Sequence, residues 1–568
     1  MPDTPNLIGR ARASRTFDAI VVGSGMSGGW AAKELCEKGY ETLVLERGRD
    51  LKHGEYPTAM KESWEMPNRG GLTPQFREAN PILTGCGAVN GTNEHLFAKD
   101  ADHPYEQKKP FSWIKGYQVG GKSHMWARLC QRWSDLDFEA NAKDGHGVDW
   151  PIRYRDIAPW YSYVEKFVGV AGNRDGLSQV PDGEFLPAMG LHCLDRHVKE
   201  VVESNYPGRH LIASRTANAT VAHQGRGPCQ MRNRCNRGCP FGGYYSSVVG
   251  SLPAAAATGR MTLRPDSVVH SLIYDDKSGK AVGVRVIDAH TKEMTEYYSR
   301  IIFLNAGTMN TTSIMLNSVS SRFENGFGND SDTLGRYLMD HNFRAVIQGE
   351  YHGLQDSYYY GKRPTGAYMP RFRNFGDDKQ EDFLRGYAFG FYSARQRGGF
   401  DETPPIGAAF KENQSKLGKW TVWVSGMGEQ LPYADNRITL SKDEVDEWGM
   451  PLMEVDMEYK ENETTMTKDM LATGADMLEK AGFVNIRARN SGENPGLGIH
   501  EMGTARMGRN PKTSVLNAFN QVHAAPNVFV SDGACMTSNA CQNPSITYMA
   551  LTARAANHAA EELRKGNL

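Results

Sequence analysis

The sequence predicts a two-lobed α/β (α+β) protein, with a Rossmann-type domain joined to a second domain built on a β-sheet. Its length of 568 residues exceeds that of one ordinary domain and favours two lobes. A glycine-rich turn follows a short apolar run near the start of the chain, within residues 17–28, as in a Rossmann unit. Residues 344–457 are rich in Tyr, Phe and Trp and include strand-like runs such as 419–424, which indicates a β-rich second lobe.

The first turn has the glycine spacing of a dinucleotide-binding site. Gly23 permits a tight turn, Gly25 lets the backbone approach a pyrophosphate, and Gly28 lets the following helix pack closely on the sheet. The anion then lies at a helix N-terminus, where free N–H groups favour it. A predicted helix at 30–39 and a strand at 41–45 complete the unit. The strand ends in Glu46, a carboxylate placed for a ribose hydroxyl and unfavourable to a 2′-phosphate.

Apolar periodicity and turn residues place the later elements. Residues 68–110 are rich in Gly, Asn and Pro with little periodicity, and we expect them to cover a cofactor or contact a partner. The small residues 305–307 follow a buried strand and are suited to bring backbone near a cofactor again. The predicted elements are strands within 263–287 (broken by a turn at 275–279), at 301–304 and at 528–530, and helices at 466–481 and 547–563.

Composition excludes several classes of function. The net charge of −1 does not favour nucleic acid as a partner, and no run of about 18 apolar residues predicts a transmembrane helix. Residues 1–15 have no apolar core and no Arg-Arg pair, so we expect no export signal in this chain. Nine cysteines form an odd count, which disfavours a disulfide framework and makes ligating or reactive thiols more plausible.

The arrangement of motifs along nearly the whole chain resembles the glucose–methanol–choline (GMC) oxidoreductase family. The motifs are the first glycine turn, Gly120-Gly121 with Trp126, the block from His500 to Gly508, and Asp532-Gly533 followed by Asn543-Pro544. The resemblance implies FAD as cofactor. It also implies a discontinuous FAD-binding domain of residues 16–80, 205–343 and 495–566, and a cofactor-covering and substrate-binding domain of residues 81–204 and 344–494.

The same resemblance assigns His500 and Asn543 as the catalytic pair. Oxidising an alcohol removes a proton from oxygen and a hydride from carbon, and the flavin takes the hydride. A neutral imidazole can accept the proton. An amide cannot act as a base, but it can hydrogen-bond the hydroxyl and orient it. A structural histidine and a turn-forming Asn-Pro are the non-catalytic alternatives.

The resemblance also implies the residues that hold FAD. Some relatives attach FAD covalently through a histidine directly before the tryptophan, whereas Met125 precedes Trp126 here and His124 stands one place earlier, so we expect noncovalent FAD. The expected FAD-binding residues are Gly23, Gly25, Met26, Ser27, Gly28, Glu46, Arg47, Gly120, Gly121, Ser123, His124, Met125, Ala306, Asp532, Gly533, Asn543, Pro544 and Ser545.

Three cysteines form a second chemical signal. Cys229, Cys235 and Cys239 fall within eleven residues of a loop rich in Arg and Asn. Soft thiolates at such spacing bind iron–sulfur clusters or zinc, and arginines offset the charge of a thiolate-bound cluster. Three ligands without an obvious fourth suit a 3Fe-4S cluster, whereas zinc would need a further donor such as His223. Free thiols or a local disulfide remain open alternatives, and the six scattered cysteines are expected to be small buried residues.

The triplet resembles that of iron–sulfur-containing sugar dehydrogenase flavoprotein subunits in the family, most of all bacterial glucoside 3-dehydrogenases. This implies a dehydrogenase that oxidises a secondary ring alcohol of a sugar or glycoside, at the glucoside 3-position as first guess. A small accessory subunit and a cytochrome or other acceptor are the implied partners. The implied location is the bacterial periplasm, by co-export with the partner, or the cytoplasm. The alternatives are an oxygen-using sugar or alcohol oxidase, a gluconate-, fructose- or sorbitol-type dehydrogenase, a nicotinamide-dependent dehydrogenase, and a noncatalytic flavin- and metal-binding subunit.

Overall fold

The computed structural model describes residues 15–358, 365–398 and 406–568. Its strands are β1 (Thr16–Val22), β2 (Thr42–Leu45), β3 (Glu106–Gln107), β4 (Ile212–Ala213), β5 (Met261–Arg264), β6 (Ser267–Asp275), β7 (Lys280–Asp288), β8 (Met294–Leu304), β9 (Ala345–Tyr351), β10 (Ala367–Met369), β11 (Tyr387–Arg397), β12 (Leu417–Gly428), β13 (Arg437–Val445), β14 (Pro451–Asp456), β15 (Val484–Asn490), β16 (Gln521–Val522) and β17 (Ala525–Val530).

The α-helices are interspersed with these strands along the chain. They are α1 (Met26–Glu37), α2 (Pro74–Ala79), α3 (Pro81–Gly85), α4 (Asp135–Phe138), α5 (Ala140–Asp144), α6 (Tyr154–Val168), α7 (Cys193–Asn205), α8 (Ser251–Ala257), α9 (Thr308–Asn317), α10 (Ala408–Ser415), α11 (Glu461–Lys480) and α12 (Ser545–Lys565). Within the described ranges, no helix combines the length and apolar character needed to cross a membrane.

The larger sheet brings the two ends of the chain together. Its strand order is β16-β17-β8-β1-β2-β5, and β17, β8, β1, β2 and β5 run parallel. The hairpin of β6 and β7 extends it through β8. Apolar residues of β1, β2 and β8 are buried on both faces, as expected for parallel strands covered by helices. Helices α1 and α12, from opposite ends of the chain, pack against each other on this sheet.

The second sheet is antiparallel, with the order β15-β9-β12-β11-β10-β4. Alternate residues of β12 face opposite sides. Trp420, Val422 and Val424 are buried in a core with Met466 and Met470 of α11. Trp423, between Val422 and Val424, faces the other way and lines a cavity between the two sheets. A small third sheet, β13-β14-β3, has no strand paired with either of them.

The predicted fold class is confirmed, and the element predictions are confirmed with shifted boundaries. The helix predicted at 30–39 begins at Met26, directly after the glycine turn, so Gly28 lies in its first turn. The helix predicted at 466–481 begins at Glu461, because the Glu463 carboxylate accepts a hydrogen bond from the Lys460 N–H at 2.8 Å and caps a polar first turn that apolar periodicity does not reveal.

Candidate active site

One cavity of about 690 Å³ lies between the two large sheets. At one end it is lined by the turn after β1, including Gly23 and Gly25, and by Glu46 and Arg47 after β2. At the other end it is lined by His500 and Asn543, opposite the exposed face of the second sheet. That face contributes Tyr368, Gly390, Tyr392, Trp423, Ser425 and Met427, and Phe343 joins them from the segment before β9.

The three glycines of the first turn have different structural roles. A Cβ on Gly28 would lie 1.8 Å from the Gly23 carbonyl oxygen, and a Cβ on Gly23 would lie 2.3 Å from the Asn305 carbonyl oxygen. Gly23 also has a φ of +95°, which disfavours other residues. A Cβ on Gly25 would meet nothing within 4 Å, and Gly25 lines the cavity. Gly23 and Gly28 therefore serve close packing, while Gly25 leaves space for a ligand beside the N-terminus of α1.

Glu46 connects the first turn to the cavity wall. Its carboxylate accepts hydrogen bonds from the Ser24 N–H at 3.1 Å, the Ser24 hydroxyl at 2.5 Å and the Gly48 N–H at 2.9 Å. Ser24 Oγ in turn accepts from the Gly120 N–H at 2.9 Å. Burial raises the pKa of Glu46. Next to it, the Arg47 guanidinium lies within 5 Å of the centroids of two aromatic rings and 3.3 Å from the carboxylate of Asp446, which also lines the cavity.

The segment 120–126 forms the middle of the wall, but His124 turns away from the cavity. Gly121, Ser123 and Met125 line the cavity. His124 Nε2 lies 2.7 Å from the Val119 carbonyl oxygen and Nδ1 lies 3.0 Å from the Tyr56 hydroxyl, so both ring nitrogens are engaged. Burial lowers the pKa of His124 to about 4.

Most of the expected FAD-binding residues lie on the cavity wall, and three do not. Gly28, Gly120 and His124 are packed behind the wall. Asp532 and Gly533 line the middle of the cavity, where the Asp532 carboxylate accepts from the Gly307 N–H at 2.9 Å and the Thr311 hydroxyl at 2.6 Å. The cavity also reaches Met26, Ser27, Ala306, Pro544 and Ser545.

His500 and Asn543 are adjacent at the end of the cavity that faces the second sheet. Asn543 Nδ2 lies 3.3 Å from His500 Nε2. Asn543 Oδ1 is buried and has no hydrogen-bond partner among the described residues, so the amide has hydrogen-bonding capacity left for a ligand in the cavity. Burial, together with the positive charge of nearby Lys122, lowers the pKa of His500 well below 6.5. The imidazole is therefore neutral and able to accept a proton.

Two further residues of the site, Asp340 and His341, escaped the sequence analysis. The Asp340 carboxylate accepts backbone N–H bonds from His341 at 2.8 Å and from His500 at 3.0 Å. It also accepts from Gly496 and Gly498, each at 2.9 Å. His341 Nδ1 lies 2.9 Å from His500 Nδ1. The signal in the sequence was a polar run, Asp-His-Asn, between apolar segments at 338–345.

The three cysteines of the loop 229–239 lie beside the cavity. All three are free and partly exposed, and burial raises the pKa of Cys229 and Cys239. Asn236 lines the cavity wall. Over the described ranges, no three His, Cys, Asp or Glu side chains converge closely enough to hold a metal ion. His223 Nε2 lies 3.2 Å from the Phe167 carbonyl oxygen, so its ring is held on α6.

Family models described as GMC oxidoreductase match residues 17–343 and 432–552 of this chain, which together cover most of its length. The chain is a GMC oxidoreductase. The resemblance seen in the sequence is thereby confirmed, and with it the assignment as an FAD-dependent enzyme that oxidises CH–OH groups of sugars or alcohols. The cavity fits FAD, because it joins the dinucleotide turn and Glu46 at one end to His500 at the other.

The names of curated relatives of this GMC oxidoreductase specify different substrates. A 2-methyl-1,2-propanediol dehydrogenase of Mycolicibacterium austroafricanum is 27% identical over 95% of this chain and 94% of its own. The fructose dehydrogenase large subunit of Gluconobacter japonicus is 25% identical over 97% and 98%. A C-glycoside 3-oxidase of Microbacterium trichothecenolyticum is 27% identical over 53% and 54%.

Among solved structures, a variant of formate oxidase from Aspergillus oryzae superposes with a TM-score of 0.62 at 14% identity, covering 97% of this chain and 99% of that one. At this identity the likeness concerns the fold alone. It supports the architecture of an FAD-binding domain joined to a substrate-binding domain.

Gly25 and Gly28 offer a matched pair of substitutions. We expect Gly28→Ala to lower the free energy of unfolding of the FAD-free protein by at least ~2 kcal/mol, because its Cβ collides with backbone. Gly25→Ala is expected to change that stability by less than ~0.5 kcal/mol and to weaken FAD binding at least ~10-fold, because its Cβ takes ligand space. Urea unfolding and FAD titration measure the two effects. Unchanged FAD affinity in Gly25→Ala would show that the turn does not approach the cofactor.

The lowered pKa of His500 predicts the pH dependence of the reaction. A base must be unprotonated, and a pKa well below 6.5 keeps His500 unprotonated at neutral pH. The rate constant of FAD reduction by a saturating alcohol substrate should therefore be independent of pH from 6.5 upward to 8, with any decline confined to lower pH. Stopped-flow absorbance of the flavin measures this, and an acid limb with its midpoint at or above 6.5 would contradict the assignment.

Proposed function

We propose that this GMC oxidoreductase is a sugar dehydrogenase that oxidises a secondary ring alcohol of a sugar or glycoside. The observation that carries the proposal is the adjacency of His500 Nε2 and the Asn543 amide, 3.3 Å apart, at the end of the cavity that faces the second sheet. At this spacing, a base can accept the proton of a substrate hydroxyl while an amide hydrogen-bonds its oxygen.

The proposed roles follow from the donors and acceptors of the pair. His500 Nε2 accepts the hydroxyl proton of the substrate, since its pKa is lowered by burial and the ring is neutral. The Asn543 amide hydrogen-bonds the same oxygen and fixes which hydrogen on carbon faces the cofactor. FAD, when bound between the first turn and this pair, supplies the hydride acceptor.

The exposed face of the second sheet supports a sugar as substrate. Tyr392 of β11 and Trp423 of β12 are directly opposite each other in the ladder, and both line the cavity. They remain 42% and 40% exposed, although most large aromatics in this sheet are buried. An open aromatic pair offers its faces to the C–H surface of a sugar ring. The C-glycoside 3-oxidase among the relatives supports ring position 3 as the oxidised carbon.

A panel of sugars and glycosides with a dye acceptor tests the proposal. We expect glycosides to reduce the bound FAD and the product to carry a ring ketone at position 3, detected by NMR. His500→Ala should lower the rate of FAD reduction by roughly 10²- to 10⁴-fold. His558→Ala is the matched control, because His558 is a partly buried histidine outside the cavity wall. Unchanged turnover in His500→Ala would refute the catalytic assignment.

We also propose that electrons leave through the loop 229–239. Cys229, Cys235 and Cys239 would hold a 3Fe-4S cluster, which accepts and donates electrons one at a time. Two observations support this: the loop contributes Asn236 to the cavity wall, and three arginines of the same loop bring positive charge near the thiols. The thiols do not converge as they would on a single ion, and a cluster spreads its sulfur ligands further apart.

The surface around this loop suits an acceptor protein or accessory subunit. Met60, Trp64 and Phe241 are 58%, 76% and 38% exposed. The Arg232 guanidinium contacts both Met60 Sδ and the Phe241 ring. An apolar patch bordered by arginines favours a partner with an acidic rim. The fructose dehydrogenase large subunit among the relatives is by its name one subunit of an assembly, which supports a partner here. Co-export with such a partner would place this chain in the periplasm.

The cluster proposal predicts iron, sulfide and a paramagnetic signal in anaerobically purified protein. Cys235→Ser should remove iron and the signal and lower dye reduction, while the sugar-driven reduction of FAD stays within ~3-fold of wild type, because the loop does not supply the base. Cys193→Ser, also a partly exposed cysteine, is the matched control. One equivalent of zinc without iron would refute the cluster.

A sugar oxidase that passes electrons to oxygen is the second candidate function. It is supported by the C-glycoside 3-oxidase among the relatives, which is by its name an oxidase. Both candidates share the chemistry of His500 and Asn543. Peroxide formed in stoichiometric amounts with the oxidised sugar, together with an absence of iron, would establish the oxidase.

A further inference from the structure

We infer that His341 is a positioning residue that fixes the proton of His500 on Nδ1 and thereby keeps Nε2 free to act as the base. The inference deepens the proposed function and rests on the assignment of His500. It concerns a residue that does not line the cavity and that acts only through its contact with His500.

The hydrogen-bond direction starts at a backbone carbonyl. His341 Nε2 forms a short hydrogen bond with the Ala540 carbonyl oxygen. A carbonyl oxygen can only accept, so Nε2 of His341 carries the hydrogen. His341 is fully buried, and burial lowers its pKa to about 4, so the ring is neutral and holds one hydrogen. Nδ1 of His341 is therefore an acceptor.

This acceptor determines the tautomer of His500. The two Nδ1 atoms lie 2.9 Å apart, with the ring planes at 86°, and one hydrogen must lie between them. Since His341 Nδ1 has none, His500 Nδ1 donates. A neutral His500 with its hydrogen on Nδ1 has a lone pair on Nε2, which faces Asn543 and the cavity.

Asn543 alone cannot make this selection. Its amide can present either the NH₂ group or the oxygen to His500 Nε2, because both orientations occupy the same volume. Presenting the oxygen would stabilise the tautomer with hydrogen on Nε2, which has no free lone pair toward the substrate. The Ala540 carbonyl can only accept a hydrogen bond. It therefore fixes which nitrogen of His341 carries the hydrogen, and His341 in turn fixes which nitrogen of His500 does.

His341 also stabilises the protonated form. When Nε2 of His500 takes the hydroxyl proton, the ring becomes cationic and its Nδ1–H bond to His341 becomes charge-assisted. The other ionisable groups near the two rings are Asp340, which binds both backbone N–H groups, and Tyr459, whose hydroxyl donates to the His341 carbonyl at 2.7 Å. Lys122, whose positive charge acts on His500, forms an ion pair with Glu501 at 3.2 Å.

The backbone holds this geometry against strain. Ile499, directly before His500, has a φ of +58°, which is unfavourable for a β-branched residue. The Asp340 carboxylate binds the N–H groups on both sides of it, at Gly498 and His500. The same carboxylate binds the His341 N–H at 2.8 Å, so one side chain fixes the backbone positions of both histidines.

A matched pair of variants tests the inference. Asn and Leu have similar shapes, but only the Asn amide can present an oxygen near the former Nδ1 position, where it would accept the hydrogen bond from His500 Nδ1. We expect His341→Leu to lower the rate constant of FAD reduction by about 100-fold, and His341→Asn to retain it within about 10-fold of wild type. FAD content, read from the absorbance of the purified variant, and the apparent Kd for the sugar, read from stopped-flow titrations, should both be unchanged. A purely structural role of His341 would change these two quantities as well.

The inference is overturned if His341→Leu keeps the wild-type rate, or if both variants lose the same activity at normal FAD content. A measurement on the wild-type protein covers the case in which a variant fails to fold. With ¹⁵N-labelled histidine, the ring resonances of His500, identified by their loss in His500→Ala, should show hydrogen on Nδ1 and a bare Nε2. The opposite tautomer would refute the role of His341. Absence of FAD reduction by every sugar in the wild type would refute the proposed substrate and leave this tautomer test intact.

Discussion

The buried carboxylate of Asp340 is the contact on which the geometry of the site depends. It accepts four backbone N–H groups, from the segments 340–341 and 496–500. Asn539 Nδ2 donates to its backbone carbonyl at 3.1 Å, which ties in the segment that carries Asn543. Three stretches far apart in sequence thus meet at one residue. A buried anion with four donors is costly to disturb, since each donor left unpaired in the interior destabilises the fold.

Around this centre, the cavity is built from both ends of the chain. The N-terminal unit contributes the glycine turn and Glu46, and α12 begins at Ser545, beside Asn543. The packing of α1 against α12 keeps these ends in register on the parallel sheet. One face of the second sheet is buried against α11, and its other face closes the cavity. The two ends of the cavity therefore lie against different lobes, and His500 and Asn543 lie where these lobes meet.

Local pattern predicted the glycine turn and the pair of His500 and Asn543, all of which the structure brings to one cavity, and the catalytic role of the pair stays a prediction. The Gly23–Gly28 turn is a local conformational requirement, and His500 and Asn543 lie in short motifs. Asp340 and His341 were not found, because their role arises from contacts with residues about 160 and 200 positions away. The orientation of His124 was equally inaccessible, since Val119 and Tyr56 determine it. The start of α11 was missed because a cap, rather than apolar periodicity, sets it.

An interior cavity of about 690 Å³ between two lobes has a thermodynamic consequence. A ligand that binds only the folded chain adds RT ln(1 + [L]/Kd) to its stability, about 2.7 kcal/mol when the free ligand is at a hundred times its Kd. FAD would therefore act as a folding ligand as well as a redox group. Cellular flavin supply would then set how much of this protein survives proteolysis, independently of how fast each surviving molecule turns over.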